Sequence, residues 1–328
     1  MDFIAIGDTT MDTFIKLKDA EVHCDINNEH CTISMRFGDK IPFESATLIP
    51  AVGNAANAAV AARRLGLSTG FVAWLGEDRD GTDCLAALEK EGIDTRYVRT
   101  QKGKQTNSHY VLWYGDERTI LIKHEAFDCT LPAKLEEPKT VYLSSLAEHA
   151  LPLHDELADW LSKHPRVRFA FQPGTFQIKA GLDRLHSIYA RTDIFFANKE
   201  EYQRVLGTAE EDVRKLIERM HTRGPRICVL TDGPHGAYAS NLGDAYRIPL
   251  YPDPKPPFER TGAGDAFSSS IAIALTLGRP LEEALLWGPI NAMSVVQYVG
   301  AQEGLLSYEK ILEHLKNAPT EFRLSPLS

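Results

Sequence analysis

The stretch Arg260-Thr261-Gly262-Ala263-Gly264-Asp265-Ala266-Phe267 runs without a break into an apolar segment of helical period, 266–277. Small residues at a helix start let several backbone N–H groups converge on one anion, and the helix dipole adds partial positive charge there. The turn therefore reads as a phosphate-sized anion site. A carboxylate closing such a turn repels bound phosphate. Asp265 either caps the helix, as N-terminal Asp residues commonly do, or accepts a proton from an attacking hydroxyl. The turn alone leaves both readings open. No G-x-G-x-x-G follows the first apolar run and no Walker lysine is present, which argues against two other phosphate loops.

Outward from this turn, short apolar runs at 3–6, 71–75, 141–143, 167–171, 194–196 and 227–230 alternate with stretches of helical period. The helical stretches include 54–65, 82–91, 210–223, 266–277 and 281–298, and Thr208 with Glu211 forms an expected capping box for the helix over 210–223. This alternation predicts an α/β fold, a mainly parallel central sheet flanked by helices.

Two regions break the rhythm. Residues from about 14 to 48 lack helical period, alternate through Thr32-Ile33-Ser34-Met35-Arg36-Phe37, and carry turn residues at Asn27-Asn28 and Gly38-Asp39. They read as antiparallel strands. The second region, 109–124, alternates around Gly115-Asp116-Glu117-Arg118 and reads as a hairpin. The expectation is one domain over 1–328 with a small β-sheet lid, its segments at approximately 14–48 and 104–125. The prolines at 249, 252, 254, 256 and 257 mark an ordered loop rather than a linker.

Composition excludes several classes. With 43% apolar and 25% charged residues, the chain of 328 buries an ordinary globular core. Lys+Arg 36 against Asp+Glu 45 gives a net charge of -9 without a basic run, so neither a nucleic acid nor an anionic membrane is an expected partner. A bound nucleotide must then be held by a local device such as a helix N-terminus, backbone amides or a metal. Cys24, Cys31, Cys84, Cys129 and Cys228 are scattered and odd in number, which reads as reduced and cytoplasmic. The N-terminus lacks the pattern of a signal peptide, and no apolar stretch approaches the roughly 20 residues of a membrane span. The histidines show no zinc-enzyme spacing. Ser268-Ser269-Ser270 reads as helix surface and packing, and Trp74, Trp113, Trp160 and Trp287 as core or lid packing.

With these features in place, the chain resembles the ribokinase-like (PfkB) carbohydrate kinases over nearly its whole length. Thr261-Gly262-Ala263-Gly264-Asp265 looks like the family's C-terminal signature. Val52-Gly53-Asn54-Ala55-Ala56-Asn57, followed by Ala61-Ala62-Arg63-Arg64-Leu65-Gly66, is similar to its N-terminal one. Leu75-Gly76-Glu77-Asp78-Arg79-Asp80-Gly81 matches its Gly-Asp-Asp-x-x-Gly region, Asn198-Lys199-Glu200-Glu201 fits N-x-x-E, and Thr231-Asp232-Gly233-Pro234-His235-Gly236 resembles its nucleotide loop.

The resemblance implies a ribokinase-like fold and a kinase using ATP and Mg2+. Asp265 would be the general base, with Gly262, Ala263 and Gly264 supplying N–H groups to the transferred phosphoryl. Asp12 would hold the acceptor's hydroxyls, with Asp8 a nearby competitor, and Gly53, Asn54 and Asn57 would add contacts to the same ligand. Asn198, Thr231, Gly233 and Gly236 would meet the nucleotide, with His235 solvated. Asn198 and Glu201 would hold magnesium through its water shell. Read alone, N-x-x-E is equally a capped helix start, and the Asn and Gly at 53–57 read first as helix capping and close packing.

Three positions depart from the family pattern. Val52 replaces the first of the usual paired glycines and narrows the room beside the acceptor. Glu259 and Arg260 stand where relatives show Asp-Thr, whose Asp helps hold a monovalent cation, so a role for K+ stays open. Pro289 occupies a position often Asn or His near the nucleotide base.

The expected activity is transfer of the γ-phosphate to a primary hydroxyl of a pentose or hexose such as ribose or fructose. A nucleoside is the alternative acceptor. From another class, the alternative is a non-catalytic sugar- or nucleotide-sensing protein with the kinase fold, which would have no need of Asp265. A sugar phosphate fits less well, although Arg36, Lys40, Lys104 and Arg118 lie in the lid. Relatives pair through their lids, so the expected assembly is a homodimer joined there.

Overall fold

The computed structural model describes residues 1–24, 31–114, 117–258 and 260–327. In chain order, β1 (Phe3–Ile6) leads into β2 (Thr10–Leu17), a ribbon of β3 (Glu21–His23) and β4 (Thr32–Ser34), and the long β5 (Phe43–Val52). Then come α1 (Asn54–Arg64), β6 (Thr69–Gly76), α2 (Arg79–Lys90), β7 (Val98–Gln101), β8 (Asn107–Tyr114), β9 (Glu117–Lys123) and β10 (Thr140–Leu143). The next stretch holds α3 (Leu151–Lys163), β11 (Arg168–Phe171), α4 (Thr175–Arg184), α5 (His186–Arg191), β12 (Ile194–Asn198), α6 (Lys199–Leu206) and α7 (Val213–His221). The chain closes with β13 (Ile227–Thr231), β14 (Ala237–Ser240), β15 (Ala245–Ile248), α8 (Ala263–Thr276), α9 (Leu281–Val295), α10 (Tyr308–Lys316) and β16 (Ser325–Pro326).

A ten-stranded sheet runs β16-β15-β14-β13-β12-β11-β10-β1-β6-β7, parallel from β13 to β7, with β14, β15 and β16 added antiparallel at the other edge. Every residue of β1, β6 and β10 is buried. Burial on both faces explains why these strands read as continuous apolar runs instead of alternating ones. Two core clusters lie against the sheet. In the first, the small residues Ala55, Ala56, Ala59 and Ala62 of α1 pack in with Ala266, Ile271 and Ala274 of α8. Each large side chain buried there, such as Phe71 or Trp287, contributes about 1.5–3 kcal/mol of transfer free energy. Trp74 is likewise buried, whereas Trp113 packs edge-on against Phe258 and Trp160 stacks on His164.

The second sheet, β5-β2-β8-β9, is a separate four-stranded layer. It continues from β1 through Gly7–Thr9, so the first strand of one sheet feeds the first strand of the other.

Several expectations are corrected. The strands expected within 14–48 reach back to Thr10 and on to Val52. The alternating stretch Thr32 to Phe37 is strand only over Thr32–Ser34, and it pairs with β3 outside the four-stranded sheet because neither of its faces meets a core. The turn at Gly38-Asp39 is present, whereas Asn27-Asn28, Gly115-Asp116 and Glu259 lie outside the described residues. Cys24 and Cys31 form a disulfide, against the reduced reading, because the ribbon brings residues seven apart to a Cα separation of 4.0 Å. Cys84, Cys129 and Cys228 are free and buried.

The helix expected over 210–223 starts at Val213, and its cap is Asp212, which accepts from the N–H groups of Arg214 and Lys215. Thr208 instead accepts from Glu210 N–H one turn too early to serve as the cap. α2 starts earlier than expected, at Arg79, and α9 stops at Val295. Ser268, Ser269 and Ser270 are buried rather than on the surface, since α8 is enclosed on all sides from Asp265 to Thr276. Ser269 is satisfied by donating to the Asp265 carbonyl at 2.6 Å, and Ser270 accepts from Asn291 at 2.8 Å. Among the described residues, no helix is long and apolar enough to cross a membrane.

Candidate active site

Parallel strands deliver their C-terminal residues to one edge of a sheet, where open α/β folds gather ligands. Here β13, β12, β11, β10 and β1 end side by side, so Thr231, Asn198, Gln172, Ser144 and Gly7 emerge along one line. The start of α8 carries Asp265 to the middle of that line.

Gly262 is the N-cap of α8 with φ 77°, and a Cβ there would lie 2.3 Å from that of Ala301. Only glycine fits a left-handed position under that contact. The first bond within the helix runs from Ala266 N–H to Gly262 at 2.8 Å, so the N–H groups of Gly264 and Asp265 precede the helical ladder.

Asp265 does not cap the helix. Its Oδ1 accepts from Asn54 Nδ2 at 2.9 Å and Gln172 Nε2 at 3.1 Å, and its Oδ2 accepts from Asn57 Nδ2 at 2.8 Å. Burial pushes its pKa above the usual carboxylate range, while these amides pull it back down. Two of the amides are themselves oriented. Tyr142 donates to Gln172 Oε1 at 2.5 Å, and Gln302 donates to Asn57 Oδ1 at 2.9 Å.

On the α1 side, Gly53 starts the helix with φ 116°, and a Cβ there would meet the Asp8 carbonyl at 2.9 Å. Asp12, on β2, accepts from Thr10 Oγ1 at 2.7 Å and faces His109 Nδ1 at 3.2 Å. His109 meets His124 through their Nε2 atoms at 3.3 Å, and His124 Nδ1 lies 3.6 Å from Asp8 Oδ2. Asp8 and Asp12, rivals in the sequence reading, are thus the two ends of one chain of groups. Asn54 and Asn57 contact Asp265 directly, whereas Asp12 belongs to the neighbouring histidine cluster.

On the other side, Asn198 ends β12 beside Thr231 of β13. Asn198 Oδ1 accepts from Glu201 N–H at 2.8 Å, and Glu201 Oε2 accepts from Asn198 N–H at 2.9 Å, a reciprocal cap for α6. Burial raises the Glu201 pKa, and the negative charge of Asp265 adds to it. The loop of Thr231, Gly233 and Gly236 closes through Asp232 N–H to the Gly236 carbonyl at 2.9 Å. His235 stands exposed on it, 3.3 Å from Asp232.

The cap engages Asn198 Oδ1 and one Glu201 oxygen. That leaves the second Glu201 oxygen, a hard donor of the kind that meets magnesium through its waters. Among the described residues, no cluster of three His, Cys, Asp or Glu side chains is arranged to hold a metal.

Sequence reasoning missed Gln172, Tyr142, Gln302, His109 and His124. Gln172 was findable as the polar residue directly after an apolar parallel strand. Gln302 carried no local signal, since its bond to Asn57 spans 245 residues.

The pfkB family carbohydrate kinase model matches residues 34–307, and the chain belongs to that family. It is a sugar kinase of the ribokinase-like group. It is 27% identical over 274 residues to ribokinase of Haemophilus influenzae, covering 81% of this chain and 87% of that one. It is 26% identical over 282 residues to 5-dehydro-2-deoxygluconokinase of Bacillus subtilis, covering 79% of this chain and 84% of that one. The structure of Arabidopsis thaliana ribokinase complexed with ribose and ATP superposes with a TM-score of 0.80 at 21% identity, over 96% of this chain and 98% of that one.

Proposed function

We propose that the protein transfers the γ-phosphate of ATP to a primary hydroxyl of a small neutral sugar, a pentose or hexose. The observation that carries this is Asp265 at the start of α8, held on both oxygens by side-chain amides and sited next to the N–H groups that precede the helical ladder. The acceptor oxygen forms a bond to the γ-phosphorus as the bond to the departing ADP breaks, and ADP leaves with that electron pair. Asp265 takes the hydroxyl proton. A carboxylate is too weak to ionise an alcohol beforehand, so the proton moves late and positioning dominates.

Gly262 and Gly264 present N–H groups to the phosphoryl, whereas the Ala263 N–H donates to the Arg260 carbonyl at 3.4 Å, and Asn198, Thr231, Gly233 and Gly236 line the nucleotide side. Asn198 and Glu201 would hold magnesium through its waters, and the ion would supply neutralisation of phosphate charge. Asp12, Gly53, Asn54 and Asn57 face the acceptor. The carboxylates Asp8, Asp12 and Asp265 on that side favour a neutral polyol over a sugar phosphate. Of the lid cations, Lys104 pairs with Glu125 at 3.5 Å and Lys123 donates to Gln105.

The four-stranded sheet acts as a lid that keeps water from the γ-phosphate. Cross-strand register puts Leu48, Tyr110 and Leu121 in one row with Thr13, and the three are 63%, 48% and 53% exposed. A second copy of the chain covers this row in a two-fold dimer. The site works in the cytoplasm, where ATP is available.

The test is ADP release with Mg-ATP across pentoses, hexoses, sugar phosphates and nucleosides, run beside Asp265→Asn. Release that depends on a neutral sugar and is lost in the variant supports the reading. Ligand binding without release by any acceptor would favour a sensor. Light scattering of Leu121→Lys tests the dimer, the expected result being a monomer.

A further inference from the structure

Asp265 is supported by a second layer of side chains to which the proposed transfer has so far assigned no role. A carboxylate oxygen offers two lone pairs in its plane. Oδ1 accepts from both Asn54 and Gln172, so it is filled, whereas Oδ2 accepts from Asn57 alone. The amides of Gln172 and Asn57 cannot turn over freely. Tyr142 donates to Gln172 Oε1, and Gln302 donates to Asn57 Oδ1, so in each case the –NH2 end must face Asp265.

We infer that the open lone pair of Oδ2 is the atom that receives the acceptor proton, and that Gln172, oriented by Tyr142, is the positioning residue that keeps Oδ1 filled and the carboxylate plane fixed. This rests on the kinase reading above. Gln172 follows β11 and Tyr142 lies within β10, so both anchors come from the rigid sheet rather than from a loop that must close. Tyr142 is fully buried, which shields the relay from competing water. The step balances without a further reagent. The acceptor O–H breaks, its proton binds Oδ2, its electron pair forms the new bond to phosphorus, and ADP carries away the pair from the bond it loses.

The test combines kinetics with titration. Gln172→Leu removes the donor, and Tyr142→Phe removes only the hydroxyl that orients it. The expected result is a kcat at least 10-fold lower in Gln172→Leu with acceptor KM changed less than 3-fold. Its acidic limb should shift to higher pH, because the ionised carboxylate loses a hydrogen bond. Tyr142→Phe, which keeps the buried ring, should change kcat in the same direction by a smaller factor. An acceptor KM that rises with kcat unchanged would make Gln172 a binding residue and overturn the inference.

A second readout needs no turnover. Asp265 in the acceptor-free protein, followed by 13C NMR, should take up its proton at higher pH in Gln172→Leu than in wild type, and an unchanged midpoint overturns the inference. Failure of the kinase reading is separable, since wild type would then release no ADP with any acceptor.

Discussion

Gln302 and Asn57 are joined by a 2.9 Å bond from the loop after α9 to the first helix, and this bond decides which end of the Asn57 amide faces Asp265. Gln302 also donates to the Ala51 carbonyl at 2.8 Å, and its own carbonyl accepts from Arg64 at 2.6 Å. Gln302→Leu leaves the Ala51 and Asn57 oxygens without their donor. Leaving such groups unsatisfied costs about 1–3 kcal/mol. The expected outcome is a lower Tm with turnover reduced further than the Tm loss explains, measured by calorimetry beside the ADP assay.

The pH dependence has a defined sign. Burial raises the Asp265 pKa, and the base works only when ionised, so turnover should fall on acidification at a pH above the roughly 4 of an ordinary carboxylate. The folding linkage runs the other way. A raised folded-state pKa contributes stability that is present at low pH and lost as pH rises through it. The Tm of Asp265→Asn minus that of wild type should therefore increase between pH 4 and pH 8. A difference that is flat across the range would mean that Asp265 is not perturbed.

The two glycines of the anion turn should separate fold from chemistry. At Gly262 a Cβ would meet Ala301 at 2.3 Å and the backbone is left-handed, so Gly262→Ala should cost about 1–3 kcal/mol and displace the turn. At Gly264 a Cβ meets nothing within 4 Å. Gly264→Ala should keep the wild-type Tm yet raise the KM for ATP, since the added methyl group faces open space in the proposed phosphate site. Unchanged kinetics in that variant would argue against phosphate binding at the turn.

Asp78 ties the start of α2 to the four-stranded sheet. It caps α2 by accepting from Gly81 N–H at 2.8 Å, and it accepts from Thr106 N–H at 2.8 Å and Thr106 Oγ1 at 2.6 Å just before β8. Burial alone would raise its pKa, but the bonds from Thr106 and Gly81 outweigh this and hold it below the usual value. Its contribution to stability is present above the unfolded-state pKa and is lost as pH falls through the lowered folded-state value. Asp78→Ala should cost at least the ~1 kcal/mol of a lost cap at neutral pH, read by urea titration, and the deficit should shrink in acid.

Local patterns made much of this molecule legible. The parallel strands announced themselves as apolar runs because both faces are buried, and the glycine turn before α8 marked the place of Asp265. Asp78 shows why a motif can be read before its purpose is known, since the acidic residue in the Gly-Asp-Asp-x-x-Gly region is a cap and a strut at once. What stayed hidden were pairings across long sequence separations. Gln172, Tyr142 and Gln302 acquire their roles only when β10, β11 and the loop after α9 converge. The Cys24–Cys31 link was hidden for a different reason, because counting cysteines carries no information on which hairpin brings two of them together.

The bond from Asn54 to Asp265 spans 211 residues, so Asn54 leaves the ribosome long before its partner does. The segments of β1, β2, β5 and α1 are complete while α8 is still unsynthesised. Contacts of such sequence separation form late in folding. During synthesis the chain thus passes through a stage that holds the amides of Asn54 and Asn57 but not the carboxylate they bind.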